Sequence, residues 1–200
     1  MRLQKATADT IAEAARIVKE GGVIVYPTDT VYGLGCNPFN EGATKRILSI
    51  KGERTKPLPI LASDIAAAKR IAGITGKAIR LAKRFWPGQL TMVLSKRVSL
   101  PDAITRNLDS VAVRVPNHRV ALELIRMSGG LLVGTSANRT GKKPPQTATE
   151  AAGQIGDEVD LVIDDGPTPL GASSTIVDLT HEKLRILRQG SIKLEDILTA

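Results

Sequence analysis

Segments with helical spacing alternate along this chain with short apolar runs rich in β-branched residues, and short polar connections join them. That interleaving limits the fold more than any other feature, because it builds layers in which helices cover a sheet. The first instance is clear. Ile11, Ala14, Ala15 and Val18 share a helical face, Gly21-Gly22 stops the helix, and Val23-Ile24-Val25-Tyr26 follows as a strand ended by Pro27. The same reading predicts helices over 40–50, from a Ser63 cap through 72, over 77–86, 118–127 and 149–155, and near Ser191. Strands are predicted over 58–62, 90–94, 111–115, 131–135, 161–163, 175–179 and 184–187. The expected architecture is α/β, a single domain over 1–200 with one twisted mixed sheet flanked by helices.

A chain of 200 residues with 42% hydrophobic content is long enough to bury one substantial core. It has no run of 18 apolar residues, and its N-terminus alternates charged and apolar positions, so the expectation is a cytoplasmic protein with no membrane association. Cys36 stands alone, which excludes an intrachain disulfide and a multi-thiolate zinc site; its expected role is that of a small buried residue. Charge is unevenly spread. Residues 1–143 hold 24 of the 28 Lys and Arg against 10 acids, whereas 144–200 hold 4 against 10. A fold that gathers the basic part around a cleft suits phosphates, while the 2% aromatic content argues against base-stacking platforms.

Neither a Gly-x4-Gly-Lys-Ser/Thr loop nor a Gly-x-Gly-x-x-Gly fingerprint follows a strand, so any nucleotide phosphates must be gripped chiefly by side chains. Four segments supply suitable groups. The loop after the first predicted strand carries Thr28, Asp29, Thr30 and Tyr32, which suits either a ligand wall or a turn decorated with capping residues. A basic stretch carries Lys45, Arg46, Lys51, Arg54 and Lys56, relieved by Glu53, and reads as a phosphate clamp or a solvated loop. Gly134-Thr135-Ser136-Ala137-Asn138-Arg139 lies just past a strand end, where open α/β sheets bind ligands. Ser173-Ser174-Thr175 precedes one strand and Arg188 ends another. His118 and His181 lack a partner pattern and read as structural.

Taken together, YPTDTVYGLG at 26–35, KGERTKPLP at 51–59, RFWPGQLTMVL at 84–94, SVAVRVPNH at 110–118, GTSANRTG at 134–141, SSTIVDL at 173–179 and ILRQG at 186–190 resemble the YrdC/TsaC family of L-threonylcarbamoyladenylate synthases. The resemblance spans nearly the whole chain and is to the short, single-domain form. It implies a fold with a positively charged concave cleft and a nucleotidyltransferase activity. L-threonine and bicarbonate or CO2 form a carbamate that attacks the α-phosphate of ATP, giving threonylcarbamoyl-AMP and pyrophosphate. The product serves N6-threonylcarbamoyl modification of tRNA, through downstream threonylcarbamoyl-transferase proteins.

Residue by residue, the resemblance implies threonine contacts from Thr30, Arg114, Ser136 and Ser174. It implies ATP contacts from Lys51, Arg54, Lys56, Ser110, Asn138, Thr147 and Arg188, with Lys51 and Arg54 offsetting charge as pyrophosphate leaves. The family writes its basic element as Lys-x-Arg, whereas this chain has Lys51-Gly52-Glu53-Arg54. Mg2+ is expected on the ATP phosphates, with no carboxylate cage of its own. The alternative reading is a non-catalytic module whose basic cleft holds tRNA or double-stranded RNA; that role needs the charge but not the hydroxyls of Thr30 and Ser136.

Overall fold

The computed structural model describes residues 2–53, 55–171 and 173–199. The chain opens with strand β1 (Leu3–Lys5), helix α1 (Ala8–Lys19), strands β2 (Ile24–Tyr26) and β3 (Gly33–Gly35), and helix α2 (Glu41–Lys51). It continues through β4 (Ile60–Ala62), α3 (Ile65–Lys69), α4 (Gly76–Phe85), β5 (Leu90–Ser95), α5 (Asp102–Thr105), β6 (Ser110–Arg114) and α6 (Arg119–Met127). Then follow β7 (Leu131–Val133), β8 (Thr135–Ser136), α7 (Ala148–Ile155), β9 (Leu161–Asp164), β10 (Thr175–Asp178), β11 (Arg185–Arg188) and α8 (Leu194–Leu198).

The α/β class and the mixed pairing hold, but the strands divide between two sheets. One runs β1-β9-β2-β3-β8 and the other β11-β10-β5-β6-β4-β7. The expected strand over 131–135 is where the chain changes sheet. Val133 ends β7 and Thr135 begins β8, so Gly134 is the crossing point. A Cβ at Gly134 would stand 2.3 Å from Leu61 Cγ, so only glycine lets the backbone pass this close. The strand β3 was not expected, because Gly33-Leu34-Gly35 offers little β-propensity. Its glycines answer a packing demand, since a Cβ at Gly35 would lie 2.6 Å from the Val133 carbonyl. The strands β1 and β8 and the one-turn α5 are too short for a periodic signal.

Helix starts follow side-chain chemistry. Thr7, Asn40 and Thr147 accept N–H bonds at the N-termini of α1, α2 and α7. The cap expected at Ser63 is corrected by one residue. Asp64, rather than Ser63, accepts the Ala67 N–H at 2.7 Å, and Ser63 instead donates to the Asp64 carboxylate at 3.0 Å. The helix it starts ends at Lys69 instead of running through 72.

Two apolar clusters flank the five-stranded sheet. Val23, Val25 and Leu34 pack with Ile60, Met92 and Val113 in the larger cluster, whereas Ile24, Tyr26, Leu161 and Ile163 pack with Ile11 and Ala14 of α1 and with Val120 and Leu124 of α6. Burial on both faces is why 23–26 reads as an unbroken apolar run. Each such Val, Ile or Leu contributes about 1.5–3 kcal/mol on burial.

Candidate active site

The six-stranded sheet has two unequal faces. Met92, Leu94, Val111, Val113 and Val177 point into the core and are almost fully buried. On the opposite face, the register aligns Val93 with Ala112, Ser95 with Ser110 and Ile176 with Thr91. Val93, Ala112, Ser110 and Ile176 are only half-buried. This half-covered face is the floor of the candidate site.

At one end of that floor stands Arg114, the last residue of β6. Its Nε donates to the Gly88 carbonyl at 2.8 Å, Nη1 donates to Thr30 Oγ1 at 3.1 Å, and Nη2 donates to the Asp29 carboxylate. The Arg114 and Asp29 side chains are only 7% and 4% exposed, so this ion pair is buried. Burial pushes the Arg114 guanidinium toward its neutral form, and the Asp29 carboxylate opposes that push. Thr28 orders the loop between β2 and β3. Its hydroxyl accepts the Thr30 N–H at 3.1 Å and donates to the Val31 carbonyl at 2.7 Å. These backbone bonds belong to the turn, one of the two roles open to the loop, and they set Thr30 against Arg114.

Ser174 and Arg188 meet beside this cluster. Thr91 and Ser174 share a hydrogen bond of 2.8 Å, and Arg188 Nη2 donates to Ser174 Oγ at 3.0 Å while its Nε donates to the Ser174 carbonyl at 3.0 Å. Burial, and then the like charge of Arg114, push the Arg188 guanidinium below its ordinary value. The two arginines therefore feel each other across the floor.

Lys51 is 2% exposed at the C-terminus of α2. Its amine donates to the carbonyls of Ser136 at 2.6 Å and Asn138 at 2.7 Å, and its own carbonyl accepts the Thr140 N–H at 2.9 Å. The Ser-x-Asn segment is thus built on Lys51. Asn138 Nδ2 donates to the Arg139 and Lys142 carbonyls, and its buried Oδ1 has no partner among the described residues. Ser136 pairs with Gly33, and Ala137 N donates to the Tyr32 carbonyl, so this segment and the 27–32 loop form one wall.

The structure therefore brings together Thr30, Arg114, Ser174 and Arg188, and separately Lys51, Ser136 and Asn138, with the 27–32 loop joining the two groups. Ser110 faces the same floor as Arg114 but lies four residues away along β6, about 13 Å at ordinary strand rise. Thr147 spends its hydroxyl oxygen on the Glu150 N–H, 3.1 Å away, as a helix cap. Lys56 is exposed in the loop after α2, and Arg54 lies outside the described residues. Of the other expected clamp residues, Arg46 turns away to bridge Asp160, and Lys45 pairs with Glu41 on the surface of α2. Asp29 is expected only as one of the polar groups of its loop, and Gln89 and Thr91 carry no expectation. A threonine inside the apolar run 90–94 was the available signal for Thr91.

Among the described residues no group of three His, Cys, Asp or Glu side chains is placed to hold a metal ion, and no helix is long and apolar enough to cross a membrane. Cys36 is buried, and burial pushes its thiol up to about 12.

Comparison with known proteins gives these features a family. Residues 16–190 match the Sua5/YciO/YrdC family model, described as telomere recombination. The chain is 42% identical over 186 residues to a threonylcarbamoyl-AMP synthase of Pyrococcus abyssi, covering 92% of this chain and 55% of that protein. It is 40% identical over 190 residues to a threonylcarbamoyl-AMP synthase of Bacillus subtilis, covering 94% and 55%. Among solved structures, P. abyssi Sua5 complexed with L-threonine superposes with a TM-score of 0.93 at 39% identity, covering 99% of this chain and 59% of that one. The chain thus spans little more than half the length of these relatives, yet nearly all of it is matched. With the family model spanning most of its length, this chain belongs to the Sua5/YciO/YrdC family.

Proposed function

We propose that this protein makes threonylcarbamoyl-AMP and pyrophosphate from L-threonine, bicarbonate or CO2, and ATP, for modification of tRNA. One observation carries the reading: a buried arginine, Arg114, is held against Thr30 beside the Ser174–Arg188 pair on a half-covered sheet face, in a chain 42% identical to a threonylcarbamoyl-AMP synthase. Arg114 takes the threonine carboxylate, a bidentate match for a guanidinium, with Thr30, Ser136 and Ser174 around the rest of the amino acid. The ATP sits along the floor toward Ser110, with Asn138, Thr147 and Arg188 on its nucleoside side. Lys56 reaches its phosphates from the loop after α2, and the same role is assigned to Arg54 on the resemblance alone.

The chemistry asks for positioning. The threonine amine adds to CO2 and releases a proton, the carbamate oxygen bonds to the α-phosphorus, and the bond to pyrophosphate breaks. Holding that short-lived carbamate in line with the phosphate and away from water is the protein's task. Lys51 builds the wall that carries Ser136 and Asn138 and adds positive charge behind the phosphates. Mg2+ would be carried by the ATP phosphates as part of that substrate, and no step is assigned to it. The downstream acceptors are threonylcarbamoyl-transferase proteins, and the site of action is the cytoplasm.

The test is pyrophosphate release together with capture of a labelled adenylate, using ATP, Mg2+, bicarbonate and radiolabelled threonine. Both signals should require threonine and bicarbonate. Equal pyrophosphate release without either would overturn the proposal, and tight, salt-sensitive RNA binding with no adenylate would favour the RNA-binding module instead.

A further inference from the structure

Asp29 has no part in the reaction described above, yet it is the only acid in ion-pair contact with Arg114 among the described residues. A guanidinium carries five N–H donors. Within the described residues, Arg114 directs one to Gly88, one to Thr30 and one to Asp29, which leaves one N–H on each of Nη1 and Nη2. Two N–H groups are what a bidentate carboxylate takes. Asp29 is itself braced. Gln89 Nε2 lies 3.4 Å from its second oxygen, and Gln89 accepts from Ser191 at 3.2 Å.

We propose that Asp29 is a positioning residue for amino-acid recognition: it fixes the guanidinium plane of Arg114 against Thr30 and Gly88, so that the two remaining N–H groups receive the substrate carboxylate. Without it, Arg114 loses one of its three anchors and the carboxylate that opposes the effect of its burial. A buried, partly anchored guanidinium then pays for ordering when the substrate binds. The consequence is confined to amino acids with a free carboxylate, and it rests on the reaction proposed above.

The experiment is steady-state kinetics of D29N, which keeps the shape and removes the charge, beside R114Q and the double variant. The expected result is a threonine KM at least tenfold higher in D29N, with the ATP KM changed less than twofold. The double variant should be no worse than R114Q alone, because Asp29 acts through Arg114. L-Threoninamide, which lacks the carboxylate, should be bound equally by wild type and D29N. Equal rises in both KM values, additive losses in the double variant, or an unmoved threonine KM would overturn the role. If D29N does not fold, D29A assayed with and without formate decides. Formate lowering the threonine KM supports the role, and no response to formate removes it. A wild-type enzyme with no threonine-dependent adenylate would sink the reaction itself, whereas an active enzyme indifferent to D29N sinks only the role of Asp29.

Discussion

Replacing Lys51 by Met should damage stability as well as activity. Met keeps the aliphatic stem in a site that is 2% exposed and deletes the ammonium that donates to the Ser136 and Asn138 carbonyls at 2.6 and 2.7 Å. Hydrogen bonds to a charged group contribute about 1.5–3 kcal/mol each, so two amount to about 3–6 kcal/mol gross. Removing the buried ammonium also removes its desolvation cost, which brings the net loss to about 2–4 kcal/mol. For a chain of this size each kcal/mol lowers Tm by about 2–4 °C, so the variant should melt about 4–16 °C below wild type. Limited proteolysis should cut first within 134–141, the segment whose carbonyls lose their donor. A fall in Tm of less than about 2 °C, with that segment as resistant as in wild type, would refute the reasoning. Lys51 would then contribute charge alone, and K51M would be inactive but fully stable.

Other sites give sharper single readouts. Tyr32→Phe removes a hydroxyl that donates to the Gly166 carbonyl at 2.7 Å and accepts the Asp165 N–H at 3.2 Å, and should cost about 1–3 kcal/mol by urea denaturation. Gly134→Ala should cost about 1–3 kcal/mol or more, because the new Cβ would meet Leu61 Cγ at 2.3 Å; an unchanged midpoint would show that the Leu61 side chain yields without cost. Native Cys36 should not react with a thiol reagent at pH 8, since it is buried with its thiol pushed up to about 12, and one thiol should appear on unfolding. Burial works to raise the Asp160 carboxyl, but the Arg46 hydrogen bond and the Val23 N–H outweigh it and hold it below its ordinary value of 3.8. A depressed folded-state value stabilises above the unfolded value and is lost as pH falls through the folded one, so Asp160→Asn should flatten the acid limb of a Tm-versus-pH profile below about pH 4.

Most helices and core strands were legible because each has a period or a cap. Ile11, Ala14, Ala15 and Val18 all lie in the buried face of α1, and Asn40 caps α2 where the sequence placed its start. The short strands β1, β3 and β8 were not legible, because Leu3-Gln4-Lys5, Gly33-Leu34-Gly35 and Thr135-Ser136 carry no apolar run of the kind that marks the equally short β2, β4 and β7. The split into two sheets was hidden for a related reason. A chain crossing between sheets at one glycine leaves an apolar run that reads as one strand. At the site, hydroxyls near strand ends drew attention to Thr30, Ser136 and Ser174, but the sequence alone carries no sign that Asp29 turns inward to Arg114 across 85 residues. An acid in a turn looks the same whether it caps a backbone or neutralises a buried arginine.

The 27–32 loop shows why the two groups of the site belong to one device. Its Thr30 and Asp29 side chains bind Arg114 of the six-stranded sheet, while the Tyr32 backbone binds Ala137 and Pro145 in the segment anchored by Lys51. The loop is therefore fixed from both sides by groups that come from different sheets. Shifting Arg114 strains Thr30, and shifting Thr30 disturbs the pairing of Gly33 with Ser136. The reaction proposed above, which must align an amino-acid carbamate with a nucleotide phosphate, would need that kind of rigid link, because small misplacements cost orders of magnitude in rate. It follows that R114Q and S136A should show coupled losses, although neither residue touches the other within the described contacts.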